Sequence, residues 1–289
     1  MNQHQSKHLS LIVHGAAGRM GRRVVALSAE DDEIELVAAM DHVDHPLAGR
    51  DAGDVAGVGK LGVAVSADWP GPVPNRSVPV VIDFSLPVAI DGCVDACVRN
   101  HFPLVVATTG LESAHQERLM DASKSIPIVW APSMSLAVNL SMKVTQQITS
   151  ALRDVAGGLD IEIIERHHRF KADAPSGTAL RFGELISQRL IDDAGDSAAI
   201  ESVHGREGHT GQRTRREIGY HAVRVGDNPG EHTIVFGMLG ETIEVNVAAS
   251  NRDCYAAGAI AAARWLMTAT DDGREPGMYD MFDVLGMSE

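Results

Sequence analysis

A glycine-rich turn near the start of the chain constrains its fold more than any other feature. The apolar run LSLIVHG (9–15) ends at a glycine, as a buried strand does, and a helix is predicted over 20–29. The turn between them reads GAAGRMG (15–21), and its small residues let backbone N–H groups and a helix N-terminus approach a pyrophosphate. We predict a dinucleotide-binding turn. An ordinary glycine-rich turn is the alternative, because Ala17 replaces the middle glycine of GxGxxG.

Strands and helices alternate through the first half of the chain. Further strands are predicted over 34–41, 78–85, 103–110 and 127–133, with an irregular excursion over 42–77. This spacing indicates right-handed βαβ units and a parallel sheet. Asp41 ends the second strand, where a carboxylate would accept hydrogen bonds from an adenine ribose; an Asp that caps a turn is the alternative.

The pattern changes after residue 135. Helices are predicted over 137–156, 178–193 and 253–268, a strand over 160–168, and three antiparallel strands between 217 and 249. We therefore predict an α/β protein with two domains. A Rossmann-type parallel-sheet domain takes 1–138 and 249–289, and an inserted mixed α/β substrate domain takes 139–248.

Composition excludes several functions. The net charge of −14, from 39 acidic and 25 basic residues, repels nucleic acids and anionic membranes. The polar start MNQHQSKHLS has no apolar region of a signal peptide, and no window approaches the roughly 20 apolar residues of a membrane span. Three cysteines, Cys93, Cys97 and Cys254, show no disulfide or metal spacing. We expect a cytoplasmic protein without nucleic-acid or membrane partners.

The stretch ERHHRFKADAPSGTAL (165–180) concentrates basic side chains before a predicted helix. Lys171 and the histidines supply positive charge or donors, and the N–H groups near Gly177 and Thr178 can hold a carboxylate. A solvated basic loop with an N-cap is the alternative. A metal site is disfavoured, because adjacent histidines on a strand point to opposite faces and no partner motif is present.

The whole pattern resembles the 4-hydroxy-tetrahydrodipicolinate (dihydrodipicolinate) reductase family. Beside ERHHRFKADAPSGTAL, the resemblance rests on the following motifs: VHGAAGRMG, DFSLP (83–87), ATTG (107–110), GREGHTG (205–211), GDNPGEHT (226–233) and MYDMFDVLG (278–286). It spans essentially the full chain.

The resemblance implies roles for individual residues. His167 would protonate the ring carbon beside the one that receives hydride, and Lys171 would be a second proton donor. Substrate carboxylates would be bound by His168, Ser176, Gly177 and Thr178. The dinucleotide would be bound by Gly15, Ala16, Ala17, Gly18, Arg19, Met20, Asp41, His42, Ala107, Thr108, Thr109, Ala131, Pro132, Ser133 and Met134. No metal is implied.

It also implies a small dicarboxylate substrate, NADH or NADPH as cofactor, and a homotetramer assembled through the inserted domain. NADH is favoured, because the Asp41 carboxylate repels a 2′-phosphate. His42 stands where NADPH-using members often carry a basic residue. Residues 132–134 (Pro-Ser-Met) differ from the Ala-Asn-Phe of some members, a change that binding of the nicotinamide through backbone groups would survive.

Two other functions stay open at this stage. A semialdehyde or homoserine dehydrogenase shares the fold, but the phosphorylating type needs a cysteine at a helix N-terminus, and all three cysteines fall inside predicted helices. A dinucleotide sensor without catalysis is the second, and it has no need for the His167 and Lys171 donors.

Overall fold

The computed structural model describes residues 8–71, 78–192, 199–267 and 273–288. It divides into two compact units, Met1–Leu136 with Arg252–Glu289, and Ala137–Asn251. The sequence analysis places these junctions at 138/139 and 248/249. Four predicted features fall partly outside the described residues: the polar start (1–7), the end of the excursion (72–77) and the last residues of two helices (193 and 268).

The secondary-structure elements are numbered in chain order. The strands are β1 (Leu9–His14), β2 (Ile34–Met40), β3 (Val65–Ser66), β4 (Val80–Asp83), β5 (Leu104–Val106), β6 (Pro127–Trp130), β7 (Asp160–His167), β8 (Glu201–His204), β9 (Glu217–Arg224), β10 (Glu231–Met238), β11 (Glu241–Ala248) and β12 (Gly277–Tyr279). The helices are α1 (Arg19–Ala29), α2 (Ala52–Ala56), α3 (Ile90–Asn100), α4 (Ser113–Ala122), α5 (Leu136–Leu152), α6 (Gly177–Asp192), α7 (Asp253–Leu266) and α8 (Met281–Val284).

The first unit contains a seven-stranded sheet in the order β3-β2-β1-β4-β5-β6-β12. Every pair in it is parallel. The strand order reverses between β1 and β4, and in such sheets ligands bind outside the carboxyl ends of the strands at that point. The predicted Rossmann-type sheet is confirmed, with β12 as an added edge strand.

Side chains that alternate along the strands build two cores, one on each face of this sheet. Val13 and Ile82 belong to one buried cluster together with α1 and α7, whereas Ile12 and Val81 belong to the other together with α3 and α4. Near-continuous apolar strands covered on both faces are typical of parallel sheets. Helices therefore lie on both sides of the sheet and leave its carboxyl edge to the loops.

The strands end earlier than predicted, which determines where the loops begin. β4 ends at Asp83, β5 at Val106 and β6 at Trp130, so the residues after them leave the sheet. These small and hydroxyl-bearing residues lie at the carboxyl edge of the sheet rather than within its ladder. The excursion over 42–77 contains α2 and the short β3.

The second unit contains a five-stranded mixed sheet in the order β11-β10-β7-β9-β8. β10 is antiparallel to β7 and β11, but β9 is parallel to β7 and β8. The prediction of three antiparallel strands was therefore wrong for 217–224. Alternation gives the faces of a strand but not its neighbours, and here β7 lies between β9 and β10.

In the described part of the chain, no helix combines the length and hydropathy needed to cross a membrane.

Gly258 in α7 provides a test of the packing in the first unit. A Cβ atom at this position would lie 1.7 Å from the Met134 carbonyl oxygen. We expect Gly258→Ala to lower the free energy of unfolding by about 1–3 kcal/mol, since overpacking forces the backbone apart. The matched control is Gly92→Ala in α3, where a Cβ would meet nothing within 4 Å. It should leave stability unchanged or raise it by about 0.5–1 kcal/mol. Equal thermal unfolding of both variants would contradict the packing.

Candidate active site

The turn between β1 and α1 approaches the end of β4 so closely that two of its glycines are required. Gly15 has a φ of +76°, and a Cβ there would lie 2.6 Å from the Phe84 carbonyl oxygen. At Gly21, a Cβ would lie 2.1 Å from the Gly15 carbonyl oxygen. The turn therefore places the N-terminus of α1 at the point where the strand order reverses.

Hydrogen bonds within the turn limit which N–H groups can reach a ligand. The N–H groups of residues 15–18 already have acceptors. Those of Gly15 and Ala16 donate to a carbonyl of β2. The Ala17 N–H donates to the Asp41 carboxylate, and the Gly18 N–H donates to the Gly15 carbonyl. Arg19 and Met20 are the first residues of α1, and the first N–H groups of a helix have no acceptor within it. These two N–H groups can hold an anion.

Asp41 and His42 lie directly after β2. The Asp41 carboxylate accepts from the Ala17 N–H at 2.9 Å and from the His42 N–H at 2.8 Å, one bond to each oxygen. A carboxylate has about four acceptor positions, so both oxygens can still accept from a ribose. The His42 side chain is 73% exposed, and its Nδ1 accepts from the Asp44 N–H at 3.2 Å.

The residues predicted to line the nicotinamide follow β5 and β6. Ala107, Thr108, Ala131 and Met134 are buried, Ser133 is half-buried, and Thr109 and Pro132 are exposed. Met134 contributes its side chain to the core, so only its backbone can face a ligand.

A buried carboxylate connects three strand ends of the first unit. Asp83 is 0% exposed, accepts from the Thr108 hydroxyl at 2.6 Å and pairs with His14 Nδ1 at 2.7 Å. Burial lowers the pKa of His14, but its hydrogen bonds with Asp83 and Cys93 outweigh burial and raise that pKa to about 10. His14 is therefore a cation at neutral pH, and the pair holds Thr108 in place.

Cys93 completes the one group of three metal-ligand side chains found among the described residues. Its sulfur, His14 and Asp83 offer ligand atoms within 4.8 Å of one another. Burial, followed by contact with Cys97, raises the pKa of the Cys93 thiol well above its usual value. Because a metal requires a thiolate and a neutral imidazole, the protons held here favour a hydrogen-bonded cluster.

Cys254 falls inside α7, which begins at Asp253 as predicted, and it lies in the first turn of that helix. Burial nevertheless raises its thiol pKa, the opposite of what a nucleophilic cysteine requires. The argument against a cysteine-dependent dehydrogenase therefore rests on burial and not on position.

In the second unit, His167 lies at the end of β7 beside a buried carboxylate. Glu165, 1% exposed, pairs with His167 Nδ1 at 2.6 Å. Both nitrogens of the Arg224 fork donate to the same carboxylate at 2.8 Å. His167 is itself buried, at 8% exposed.

The start of α6 is attached to the same cluster by Ser176. Its N–H donates to Glu165 at 3.1 Å, and its hydroxyl oxygen accepts from the Ala179 N–H at 3.2 Å, as an N-cap does. The hydroxyl also lies 3.0 Å from His232 Nε2. Burial, followed by the charge of His167, lowers the pKa of His232 to about 4, so its ring is neutral when it shares this hydrogen bond with Ser176.

The remaining predicted substrate residues border this cluster. Gly177 and Thr178 are the first two residues of α6, where N–H groups lack acceptors within the helix. Lys171 Nζ lies 2.8 Å from an Asp173 carboxylate oxygen. His168 Nδ1 is buried and has no hydrogen-bond partner among the described residues. Each of these groups can interact with an anion, whereas the N–H and hydroxyl of Ser176 have partners within the protein.

The electrostatic balance at His167 favours a neutral ring in the protein alone. Burial lowers the pKa of His167, and the positive charges of Lys171 and Arg224 lower it further. Glu165 raises it, but not enough to offset these effects, so the pKa falls below its ordinary 6.5. For Glu165, burial raises the pKa, but bonds from Arg224 and His167 outweigh burial and lower it.

Five residues of these clusters were not predicted from the sequence: Glu165, Arg224, His232, Asp83 and His14. Glu165 stands two residues before His167, so the period of a strand puts both on one face. That signal was available. Arg224 and His232 come from neighbouring strands whose pairing the sequence does not reveal, and the same holds for Asp83 and its partner on β1.

Fold and site together define an oxidoreductase of the Rossmann type that depends on a pyridine nucleotide. Residues 9–134 match the sequence profile described as "Dihydrodipicolinate reductase, N-terminus", and residues 137–285 match "Dihydrodipicolinate reductase, C-terminus". The chain therefore belongs to the dihydrodipicolinate reductase family.

Individual proteins agree with this assignment. A 4-hydroxy-tetrahydrodipicolinate reductase from Rhodopirellula baltica is 65% identical over 97% of both chains. Another from Alkalilimnicola ehrlichii is 46% identical over 96% of this chain and 98% of that protein. The structure of a dipicolinate-bound dihydrodipicolinate reductase from Paenisporosarcina sp. TG-14 aligns with a TM-score of 0.70, covering 95% of this chain and 98% of that chain. At 20% identity, it shows the fold alone.

The charge of His14 can be tested by titration. We expect its ring to stay protonated through pH 8 and to lose its proton near pH 10, as followed by NMR of ¹³C-labelled histidine and assigned with His14→Gln. Because the folded pKa exceeds the unfolded value of 6.5, the pair stabilises the fold fully below pH 6.5, and this contribution is lost as pH rises through about 10. Titration near 6.5 would contradict the ion pair.

Proposed function

We propose that this chain reduces 4-hydroxy-tetrahydrodipicolinate to tetrahydrodipicolinate in lysine and diaminopimelate biosynthesis. The observation that carries the proposal is the cluster at the end of β7, where Glu165 joins His167 to the start of α6 through Ser176 and the charge of Lys171 reaches the His167 ring. Donors next to an anion site suit the reduction of a dicarboxylate. A dinucleotide sensor has no need of them.

The first unit fits a dinucleotide. Its turn needs glycine at two positions of close approach, and the N–H groups of Arg19 and Met20 begin a helix at the point of strand reversal. We propose that they hold the pyrophosphate, that Asp41 accepts from the adenine ribose, and that the residues after β5 and β6 line the nicotinamide. Ala16, Ala17 and Gly18 shape the turn.

NADH is the cofactor we favour, with NADPH tolerated. The half-buried Asp41 carboxylate stands where a 2′-phosphate would approach, and like charges repel. Arg19 and His42 are both exposed and can turn towards a phosphate, which weakens this discrimination.

The second unit fits the substrate. Two carboxylates require two anion sites, and we assign them to the N–H groups of Gly177 and Thr178 and to Lys171 with His168. The buried, unpartnered His168 Nδ1 supports this assignment, because a buried polar atom without a partner is costly unless a ligand satisfies it.

His167 and Lys171 manage the protons of the reaction. A bound reduced nicotinamide supplies the hydride. Once the 4-hydroxy substrate has lost water, it holds a conjugated C=C–C=N unit. Hydride addition to that unit would leave negative charge on the neighbouring carbon, which His167 would protonate. Its pKa is low in the protein alone. A dianionic substrate brings negative charge that favours the imidazolium, so His167 holds its proton when substrate is bound.

The test is cofactor oxidation with substrate made in situ by its synthase from pyruvate and aspartate semialdehyde. We expect oxidation that depends on the synthase, faster with NADH than with NADPH. His167→Ala should lower kcat by about 10²–10⁴-fold with a small change in KM. Lys171→Ala should lower kcat and also raise KM.

Arg166→Ala is the matched control, since Arg166 neighbours His167 but forms an exposed pair with Glu231. It should keep full activity. Full activity of both site variants would overturn the residue roles. Folded wild-type protein that oxidises neither cofactor would overturn the function and favour the sensor.

We propose further that the protein is a cytoplasmic homotetramer that assembles through the second unit. One face of its sheet buries Ile161 and Ile163, whereas Ile164, Val223 and Val235 on the opposite face are partly or fully exposed. An exposed apolar sheet face can pack against the same face of a second copy of the chain, as in a symmetric oligomer. Light scattering after gel filtration should give four times the chain mass, and a monomeric mass would contradict the assembly.

A further inference from the structure

We propose that Glu165 is a positioning residue that fixes the orientation and tautomer of His167, and that Arg224 limits the negative charge that Glu165 presents to the ring. The proposal rests on the proposed function only in taking His167 as the proton donor. Neither Glu165 nor Arg224 needs to touch substrate.

The sheet brings the three side chains together from two strands. Glu165 and His167 alternate with exposed Arg166 along β7, so both point to the buried face. Arg224 on β9 pairs directly with His167 in the parallel register. The spacing of the cluster is therefore set by backbone hydrogen bonds rather than by a flexible loop.

Glu165 has no freedom to rotate away from the ring. One oxygen receives His167 Nδ1 at 2.6 Å and one Arg224 nitrogen at 2.8 Å. The other receives the second Arg224 nitrogen at 2.8 Å and the Ser176 N–H at 3.1 Å. Four donors on one buried carboxylate occupy its acceptor positions and hold it rigidly.

This arrangement determines which ring nitrogen is used in catalysis. Because Nδ1 donates to Glu165, Nε2 of the neutral ring has no proton. In the imidazolium, Nε2 holds the second proton, and this is the proton donated to the substrate. A Cβ at position 230 would lie 3.0 Å from Nε2, so the glycine there keeps that side of the ring accessible. Glu165 thus leaves Nε2, which faces Gly230, as the nitrogen that can donate to a ligand.

Arg224 sets how strongly Glu165 holds the proton on the ring. A lone buried carboxylate beside an imidazole would retain the imidazolium and weaken it as an acid. The Arg224 fork offsets part of that charge, and among the described residues Lys171 and His232 also face the ring. Glu165 therefore orients the His167 ring, while Arg224 reduces the negative charge that the ring experiences.

The proposal predicts shifts of opposite sign at one histidine. Glu165→Gln removes the negative charge and should lower the pKa of His167 by about 1 or more. Arg224→Gln removes the cation that offsets Glu165 and should raise that pKa, by less than Glu165→Gln lowers it. Arg166→Gln, which alters an exposed pair on the opposite face, should leave it unchanged.

The readout is NMR of histidine rings labelled with ¹³C and ¹⁵N, with His167 assigned by its loss in His167→Ala and the tautomer read from long-range ¹H–¹⁵N correlations. Wild type should show the Nδ1–H form when neutral, and Glu165→Gln should lose that preference. Glu165→Asp keeps the charge but withdraws it by one methylene. In this variant the pKa of His167 should stay close to its wild-type value, and kcat should fall with little change in KM.

Each outcome decides one question. Shifts of the same sign, or none, in folded Glu165→Gln and Arg224→Gln would overturn the positioning role even if the enzyme is active. If Glu165→Gln fails to fold, Arg224→Gln decides alone. A His167 pKa that does not rise in Arg224→Gln would then overturn the positioning role. Opposite shifts in a protein without reductase activity would support the positioning role and overturn the proposed function.

Discussion

Each unit of this chain depends on one carboxylate that is fully buried at the end of a central strand. Asp83 ends β4 and Glu165 lies near the end of β7, and they are 0% and 1% exposed. A buried charge is tolerated only when it is paired and hydrogen-bonded. His14 and Arg224 provide the cations, and the remaining acceptor positions hold Thr108 in one unit and Ser176 in the other. The site residues are thus oriented by the same requirement in both units.

Much of the fold followed from the sequence, because its signals are local. Apolar runs that end at small residues identified five of the parallel strands, and the glycine turn identified the first strand–helix unit. The two required glycines, Gly15 and Gly21, stand where close approach leaves no room for a side chain. The pairing of 217–224 was mispredicted, since a strand's neighbours depend on contacts distant in the sequence.

The site was predicted unevenly for the same reason. His167, Lys171 and the start of α6 lie within one continuous stretch, so a motif reveals them. Arg224 and His232 are far from that stretch and join it only through the sheet register. Ser176 was expected to bind substrate, but its N–H and hydroxyl already have partners in the protein. In the protein alone it anchors the start of α6, whose next two residues belong to the anion site proposed above.

The different burial of the two ion pairs near the site has a consequence for ionic strength. Dissolved salt screens charges that water reaches and leaves buried pairs almost unaffected. The Glu165 carboxylate is 1% exposed, whereas the Asp173 partner of Lys171 is 60% exposed. Raising the salt concentration therefore weakens the Lys171–Asp173 pair, and with it any attraction of Lys171 for an anion, while the direction in which the His167 ring points stays the same.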